Sequence, residues 1–299
     1  MHRKARESED PGLLTPQERQ DPRKARYLRL LHGLVLVGIF VAGAGPVLWL
    51  VAASLGTTQQ TLRQPMSVLG NLGHWENYTQ ATSGVDTIRL IRNSVIAALG
   101  SMVMTVLIAL SAGYVIAVLR PKWAPVFNAG ILTTIFIPSV VSLVPLYLTV
   151  VDLFGTGLSL QNTFWAVWLP AGANAFSVLL TTSYLRGLPR ELCEAASLDG
   201  AGPIRTMVWV VLPLCRPILG VVALLAAIGS WKDYLWPSLV LSDPTLRPVS
   251  VALPAIEKST ELSTFLAALV LASIIPIVVF MIFQRQLLSS AGFNAGVKD

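Results

Sequence analysis

The sequence predicts an all-α integral membrane protein with six transmembrane helices and both termini in the cytoplasm. Three observations lead to this fold class. The 299 residues are 54% hydrophobic and 13% charged, with a mean hydropathy of +0.64, whereas globular domains carry about 25% charged residues. The apolar residues are gathered into six long runs, and Lys and Arg are concentrated in the segments on one side of those runs.

The six apolar runs define the predicted transmembrane helices. A helix needs about 20 residues to cross a hydrocarbon core about 30 Å thick. The predicted helices cover residues 30–55, 94–119, 126–151, 163–185, 218–241 and 264–283. Pro138 and Pro145 in the third run and Pro276 in the sixth predict interrupted helices of the kind that line a path, although ordinary helix packing also accommodates proline.

The distribution of Lys and Arg predicts the orientation, because cytoplasmic loops hold an excess of both residues. With the N-terminus inside, sixteen of the 22 Lys and Arg residues are cytoplasmic and six lie on the outer side. Residues 1–26 are predicted to be a disordered cytoplasmic tail, and residues 27–299 one membrane domain. This orientation accounts for most of the net charge of +6, so no nucleic-acid partner is expected.

The sequence offers little support for catalytic or metal chemistry. The three histidines, His2, His32 and His74, are far apart, and no Cys-x-x-Cys occurs. No Gly-x-x-x-x-Gly-Lys-Ser/Thr phosphate loop is present. We therefore expect no metal site, no enzyme activity and no cofactor bound by this chain.

A patterned polar segment, residues 186–216, separates the fourth and fifth predicted helices. Pro189 is placed to begin a short helix that runs to Ser197. Asp199-Gly200 is a turn signal that ends it, and Pro203 begins a second short helix. Two short helices joined by a glycine-rich corner are thus predicted at the cytoplasmic surface, before the chain returns to the membrane.

The same segment carries a family resemblance. Glu194-Ala195-Ala196, Asp199-Gly200 and Leu212-Pro213, at this spacing, resemble the EAA loop of bacterial ABC importer permeases. The resemblance implies that the short helix is a coupling helix that docks into a cleft of an ATP-hydrolysing subunit. Glu194 would pair with a basic side chain, Ala195 and Ala196 would allow close seating, and Gly200 would make the bend. An amphipathic loop resting on the membrane is the alternative.

A second resemblance concerns residues 231–248. Trp231-Lys-Asp-Tyr-Leu-Trp-Pro237 is similar to the fifth-helix signature of sugar and oligosaccharide permeases, and the C-terminal residues 283–298 resemble the tail of the maltose-type second permease. Trp231, Asp233, Tyr234 and Trp236 are candidates for the substrate path, although anchoring at the membrane interface explains the aromatic residues equally well. Lys232 replaces the usual Asn, either with a functional role or with its ammonium group extended to the outer surface.

The resemblance implies a heteromeric importer in the bacterial plasma membrane. Its other parts would be a second homologous permease, two copies of a nucleotide-binding subunit that uses ATP and Mg, and an extracytoplasmic sugar-binding protein. The implied function is import of a sugar or oligosaccharide. An ABC permease for another solute, such as a glycerol phosphodiester, and a secondary transporter are the alternatives.

Overall fold

The computed structural model describes residues 22–67 and 73–292, and every regular element within these ranges is helical. The helices are, in order, α1 (Pro22–Ser54), α2 (Thr58–Arg63), α3 (Glu76–Ser83), α4 (Thr87–Tyr114), α5 (Ala124–Ile135), α6 (Ser139–Val151), α7 (Trp165–Gly172), α8 (Ala175–Arg186), α9 (Glu191–Leu198), α10 (Pro203–Thr206), α11 (Leu212–Lys232), α12 (Leu235–Val240), α13 (Val249–Ser259) and α14 (Leu262–Gly292). Among the described residues, four continuous helices are long and apolar enough to cross a membrane, and α5 with α6 forms a fifth crossing if that bent pair is one span. The predicted all-α membrane class is confirmed.

The chain divides into two compact units, Met1–His74 and Trp75–Asp299. The first unit contains α1, which exposes apolar side chains on all sides along most of its length, as in a helix surrounded by lipid; Leu34 and Phe40 are examples, whereas Ala52 and Ala53 at its end are buried. Residues 1–21 of the predicted tail lie outside the described residues. The remaining five residues of that tail, 22–26, instead begin α1, because proline suits the first helical position and Arg, Lys and Ala favour a helix.

In the second unit, α4 and α11 pack along each other, and α7 and α8 pack against α4. Near the C-terminal end of α4, buried side chains from three long elements meet in one cluster that includes Leu110, Tyr114, Leu185, Val211 and Cys215. A short π turn, Val115–Leu119, extends α4 to its end. This cluster fixes the end of the bundle against which α9 lies.

The third predicted helix is bent. Helices α5 and α6 meet at 110°, with the break at residues 136–138. Pro138 has no N–H to donate, and its ring disfavours a helical conformation for Ile137 before it. Pro145 lies inside α6 without ending it.

The fourth predicted helix is two helices, α7 and α8, separated by Ala173 and Asn174. The Asn174 side chain caps α8 by accepting the Ser177 N–H at 2.8 Å. On the other side of the break, the Thr105 hydroxyl of α4 shares its single proton between the Ser101 carbonyl of its own helix, at 2.7 Å, and the Ala171 carbonyl near the end of α7, at 3.0 Å. Side chains thus bind backbone groups that the broken helix leaves without an intrahelical partner.

The fifth predicted helix, 218–241, has the wrong limits. A single helical stretch runs from Pro203 to Lys232, and α12 is separate. The predicted second short helix is therefore the first part of a long one. A π turn, Met207–Val211, makes this continuity possible, with the Leu212 N–H bonded to the Met207 carbonyl. Because Pro213 lacks an N–H and its ring needs space beside the preceding turn, the wider π turn accommodates it.

Helix α7 is held against α4 by Trp168, whose indole N–H donates to the Ile96 carbonyl at 3.2 Å. The indole lies directly over Gly100, so that a Cβ built on Gly100 would overlap the ring. This glycine therefore permits the close packing of α7 on α4.

We expect Gly100→Ala to lower stability by about 1–3 kcal/mol, because Trp168 has to move away from α4. Gly130→Ala is the matched control, since a Cβ at Gly130 meets nothing within 4 Å. The transition temperatures of both variants and of the wild type are measured by thermal unfolding in mild detergent. Equal transition temperatures for Gly100→Ala and the wild type would contradict the packing described for Trp168.

Candidate functional site

Helix α9 lies within the predicted coupling segment and is short, with clear ends. It spans Glu191–Leu198, eight residues or roughly 12 Å. Glu191 and Glu194 lie in its first turn, where the helix dipole favours negative charge. The predicted helix over residues 189–197 thus corresponds to α9, with limits that differ by one or two residues.

The C-terminal end of α9 is closed by two backbone hydrogen bonds. The Ala201 N–H bonds to the Ala196 carbonyl at 2.9 Å, and the Gly200 N–H bonds to the Ser197 carbonyl at 3.1 Å. This is the Schellman pattern, which requires a left-handed residue just after the helix. Gly200 supplies it with φ of +79°, directly after Asp199. The structure thus places Gly200 at the bend.

One side of α9 packs onto the bundle and the other faces away from it. Cys193, with Leu188 and Met207, packs against the cluster around Tyr114 and Val211. Burial and, next, the neighbouring Glu194 carboxylate raise the pKa of the Cys193 thiol, which keeps it protonated at neutral pH. We interpret Cys193 as a packing residue.

The exposed side of α9 contains most of the predicted coupling residues. Glu194, Ala195, Asp199 and Gly200 are exposed, and Ala196 is half-buried. Leu212 and Pro213 lie instead in the long helix that begins at Pro203, where Leu212 packs against the same cluster as Cys193.

A separate cavity of about 470 Å³ lies between the middle of α4 and the C-terminal part of α11. Side chains from α4, α6, α7, α8, α11 and α12 line it. Its lining residues are Ser101, Thr105, Ser139, Val167, Pro170, Ala171, Asn174, Phe176, Ser177, Leu225, Ala226, Gly229, Ser230, Asp233 and Trp236. We call it the polar cavity.

The structure separates the four residues that the sequence nominated for a substrate path. Asp233 and Trp236 line the polar cavity. Trp231 lines a different, apolar groove between α4, α11 and α14, together with Lys232. Tyr234 is half-exposed and lines neither.

The two cavity-lining residues from that set also have structural contacts. One Asp233 oxygen accepts the Trp236 N–H at 3.3 Å, at the start of α12. The Trp236 indole N–H donates to the Ala166 carbonyl at 2.9 Å, which holds α12 against α7. These contacts fix both side chains in the cavity wall.

Most polar residues of this cavity were missed by the sequence analysis. Ser101 and Thr105 are four residues apart and therefore share one face of α4. Asn174 and Ser177 flank the break before α8. Hydroxyl and amide residues at helical spacing inside apolar runs were the available signal, but the fourth helix was predicted as unbroken.

Comparison with known proteins identifies the relatives of this chain. Residues 106–290 match the family described as "Binding-protein-dependent transport system inner membrane component". The chain is 30% identical over 265 residues to the sn-glycerol-3-phosphate transport system permease protein UgpE of Brucella suis biovar 1 (strain 1330), covering 85% of this chain and 92% of that protein.

Two further proteins show the same likeness. The sulfoquinovosyl glycerol transport system permease protein SmoH of Agrobacterium fabrum (strain C58 / ATCC 33970) is 30% identical over 273 residues, covering 90% of this chain and 92% of SmoH. A chain in the crystal structure of a bacterial ABC transporter involved in the import of the acidic polysaccharide alginate superimposes with a TM-score of 0.75 at 20% identity. It covers 88% of this chain and 97% of that one. The two chains share a fold.

The corner after α9 yields a prediction. Gly200→Ala is expected to destabilise the corner by about 1–2 kcal/mol, because a side chain disfavours positive φ. The amides of residues 198–201 should then exchange hydrogen faster, as measured by mass spectrometry. Gly200→Asn should restore part of the protection, since Asn tolerates this conformation better than Ala.

Gly202→Ala provides the control for this prediction. Gly202 has a φ of −70°, and a Cβ there meets nothing within 4 Å. Its exchange pattern should match the wild type. Equal protection in Gly200→Ala and Gly202→Ala would show that the left-handed residue does not hold the corner.

Proposed function

We propose a function from an established premise: the chain belongs to the family of binding-protein-dependent transport system inner membrane components. It is therefore a multi-pass protein of the bacterial plasma membrane and a transport permease. We propose specifically that it is one of two permease subunits of an ATP-binding-cassette importer, and that α9 connects it to a separate ATPase.

The exposed surface of α9 and the corner after it carries this proposal. Leu198 is 89% exposed and Ile204 is 75% exposed, on either side of Gly200. The Glu194 carboxylate lies on the same helix and is exposed to solvent. Apolar side chains beside a carboxylate suit a protein partner with an apolar cleft and a basic side chain.

Anchoring of α9 supports transmission of movement. Its inner side packs against a cluster built from residues of α4, α8 and the long helix ending at Lys232. The helix is closed at its C-terminal end by the Schellman bonds. A displacement at α9 would thus reach the long helices as a rigid-body movement, of the kind that alternates access in two-state transporters.

The proposed topology has six crossings with both termini in the cytoplasm. Two crossings are not continuous, the bent pair α5 and α6 and the pair α7 and α8. The twenty helical residues of α7 and α8 amount to roughly 30 Å, the thickness of the hydrocarbon core. The excess of Lys and Arg on one side supports the orientation. α9 then lies on the cytoplasmic side, where ATP is available.

The proposed assembly contains a second homologous permease, two ATPase subunits and an extracytoplasmic solute-binding protein. The sequence has no phosphate loop, so ATP and Mg would be bound by the ATPase subunits. In this assembly Glu194, Ala195, Ala196, Asp199 and Gly200 form the docking surface. Leu212 and Pro213 begin the path from that surface to the membrane.

The proposed solute is a sugar or oligosaccharide. The signature at residues 231–237 supports it, and Asp233 and Trp236 of that signature line the polar cavity. Glycerol 3-phosphate is the second candidate, because the Brucella relative is named for its transport. Family membership disfavours a secondary transporter.

The docking proposal predicts that Glu194→Ala and Leu198→Asp each weaken association with the ATPase by about tenfold or more, since central interface residues carry about 2 kcal/mol or more each. Co-purification of the tagged complex in mild detergent and its ATPase activity are the measurements. Glu257→Ala is the control, an exposed carboxylate on α13.

Two results would contradict the docking proposal. One is recovery of the ATPase with Leu198→Asp at the wild-type level. The other is a chain that purifies without an ATPase and transports in vesicles without ATP, which would indicate a secondary transporter.

A further inference from the structure

The apolar groove between α4, α11 and α14 lies on the side of α11 that is turned away from the polar cavity. Ala226 and Ser230 line the cavity, whereas Ala227 and Trp231 line the groove. All three helices lie in stretches that are long and apolar enough to cross a membrane. Lys232 is the only charged residue among those described along the groove.

Two cations lie at one end of the groove. Helices α4 and α11 are antiparallel, because the end of α4 packs on the start of the long helix, whereas Val95 near the start of α4 and Lys232 at the end of α11 both line the groove. Arg92 precedes Val95 by three residues and Leu99 by seven, so it shares their face of α4. Arg92 and Lys232 therefore lie at the same end of the groove.

The protein itself does not neutralise these two cations. Arg92 and Lys232 are exposed, and within the described ranges neither forms an ion pair or a side-chain hydrogen bond. By contrast, Arg89 lies 3.2 Å from an Asp86 carboxylate oxygen, and Arg247 donates to the Ser242 carbonyl at 2.9 Å. A cation beside hydrocarbon is costly unless it is paired, and Lys and Arg near helix ends extend toward lipid headgroups. An anionic headgroup would supply the missing partner.

The shape of the groove suits a hydrocarbon chain. Its volume of about 140 Å³ is below the range of about 300–1,000 Å³ that is common for compact small-molecule sites. A helix of another subunit is about 10 Å wide, and an apolar one would leave the Lys232 ammonium group facing hydrocarbon without an anion. An acyl chain with a negatively charged headgroup satisfies both the apolar wall and the cationic end.

We infer that the apolar groove is a binding site for an anionic phospholipid, with one acyl chain along α4, α11 and α14 and the phosphate at Lys232 and Arg92. This site is separate from the α9 surface and from the polar cavity, and the inference depends neither on the solute nor on the ATPase. Because Lys232 ends α11 and Asp233 lines the polar cavity, the bound lipid holds the end of the helix that forms one wall of that cavity.

The test labels the groove directly. The assembled complex in mild detergent is titrated with phosphatidylglycerol that carries a photoreactive group on its acyl chain, and with phosphatidylcholine that carries the same chain. After illumination, labelled peptides that contain residues 95–99, 227–232 or 275–279 are quantified by mass spectrometry. The wild type should be half-labelled at a lower concentration of phosphatidylglycerol than of phosphatidylcholine, which has no net charge.

A charge variant tests the headgroup contact. Lys232→Gln should raise the phosphatidylglycerol concentration for half-labelling about fivefold and leave that for phosphatidylcholine unchanged, since one cation beside an anionic headgroup contributes an effect of this size. Lys258→Gln is the matched control, because it removes an exposed lysine of α13 that does not line the groove. Its labelling should equal that of the wild type.

A volume variant tests the acyl chain. Ala227→Leu adds a larger side chain to the groove and should reduce labelling by both lipids, whereas Ala226→Leu, the same change on the cavity side of α11, should not. Equal half-labelling by the two lipids in the wild type, or an unchanged value for phosphatidylglycerol in Lys232→Gln, would overturn the inference. Absence of label from the groove together with loss of the second permease from the Ala227→Leu complex would also overturn it, because a helix of that subunit would then occupy the groove.

Discussion

The structure depends on one constraint: backbone polar groups within a membrane need partners inside the protein, because lipid provides none. The break between α7 and α8 and the irregular turn before Pro213 meet this constraint in different ways. Asn174 caps α8, the Thr105 hydroxyl contacts the Ala171 carbonyl as well as the Ser101 carbonyl, and the π turn before Pro213 keeps Leu212 bonded to Met207. Because the breaks are satisfied, irregular backbone can surround a polar cavity in the bundle.

The two regions to which the proposed function assigns a role lie apart in the bundle. The polar cavity lies beside the broken crossing of α7 and α8 and the end of α11. The α9 surface lies at the C-terminal end of α4, on a cluster of buried side chains around Tyr114 and Val211. Helices α4 and α11 pack against each other along this distance. In the proposed importer they connect ATP hydrolysis at one end to solute binding at the other.

Much of this arrangement was predictable from local patterns in the sequence. Apolar runs located the long helices, and Pro189 with Asp199-Gly200 located α9 within one or two residues. The breaks were predictable only in part, because proline alone does not decide them. The predicted interruption at Pro138 is confirmed by the 110° bend between α5 and α6, whereas Pro145 remains inside α6 and Pro276 inside α14. The break between α7 and α8 was not predicted. Lys232 lines the apolar groove and Asp233 lines the polar cavity. This difference depends on where α11 ends, which is Lys232 in the structure, whereas the hydropathy pattern predicted an end at residue 241.

The most direct test of the central claim is a distance measurement between α9 and α4 during the ATP cycle. Spin labels at the exposed Glu191 of α9, outside the proposed docking residues, and at the exposed Leu107 of α4, in a Cys193→Ala and Cys215→Ala background, report this distance in the assembled complex. Rigid coupling predicts one narrow distance distribution that is the same with and without ATP, while distances from residue 191 to the second permease change. A distance between residues 191 and 107 that shifts or broadens with ATP would show that α9 moves independently of the bundle and would contradict the account.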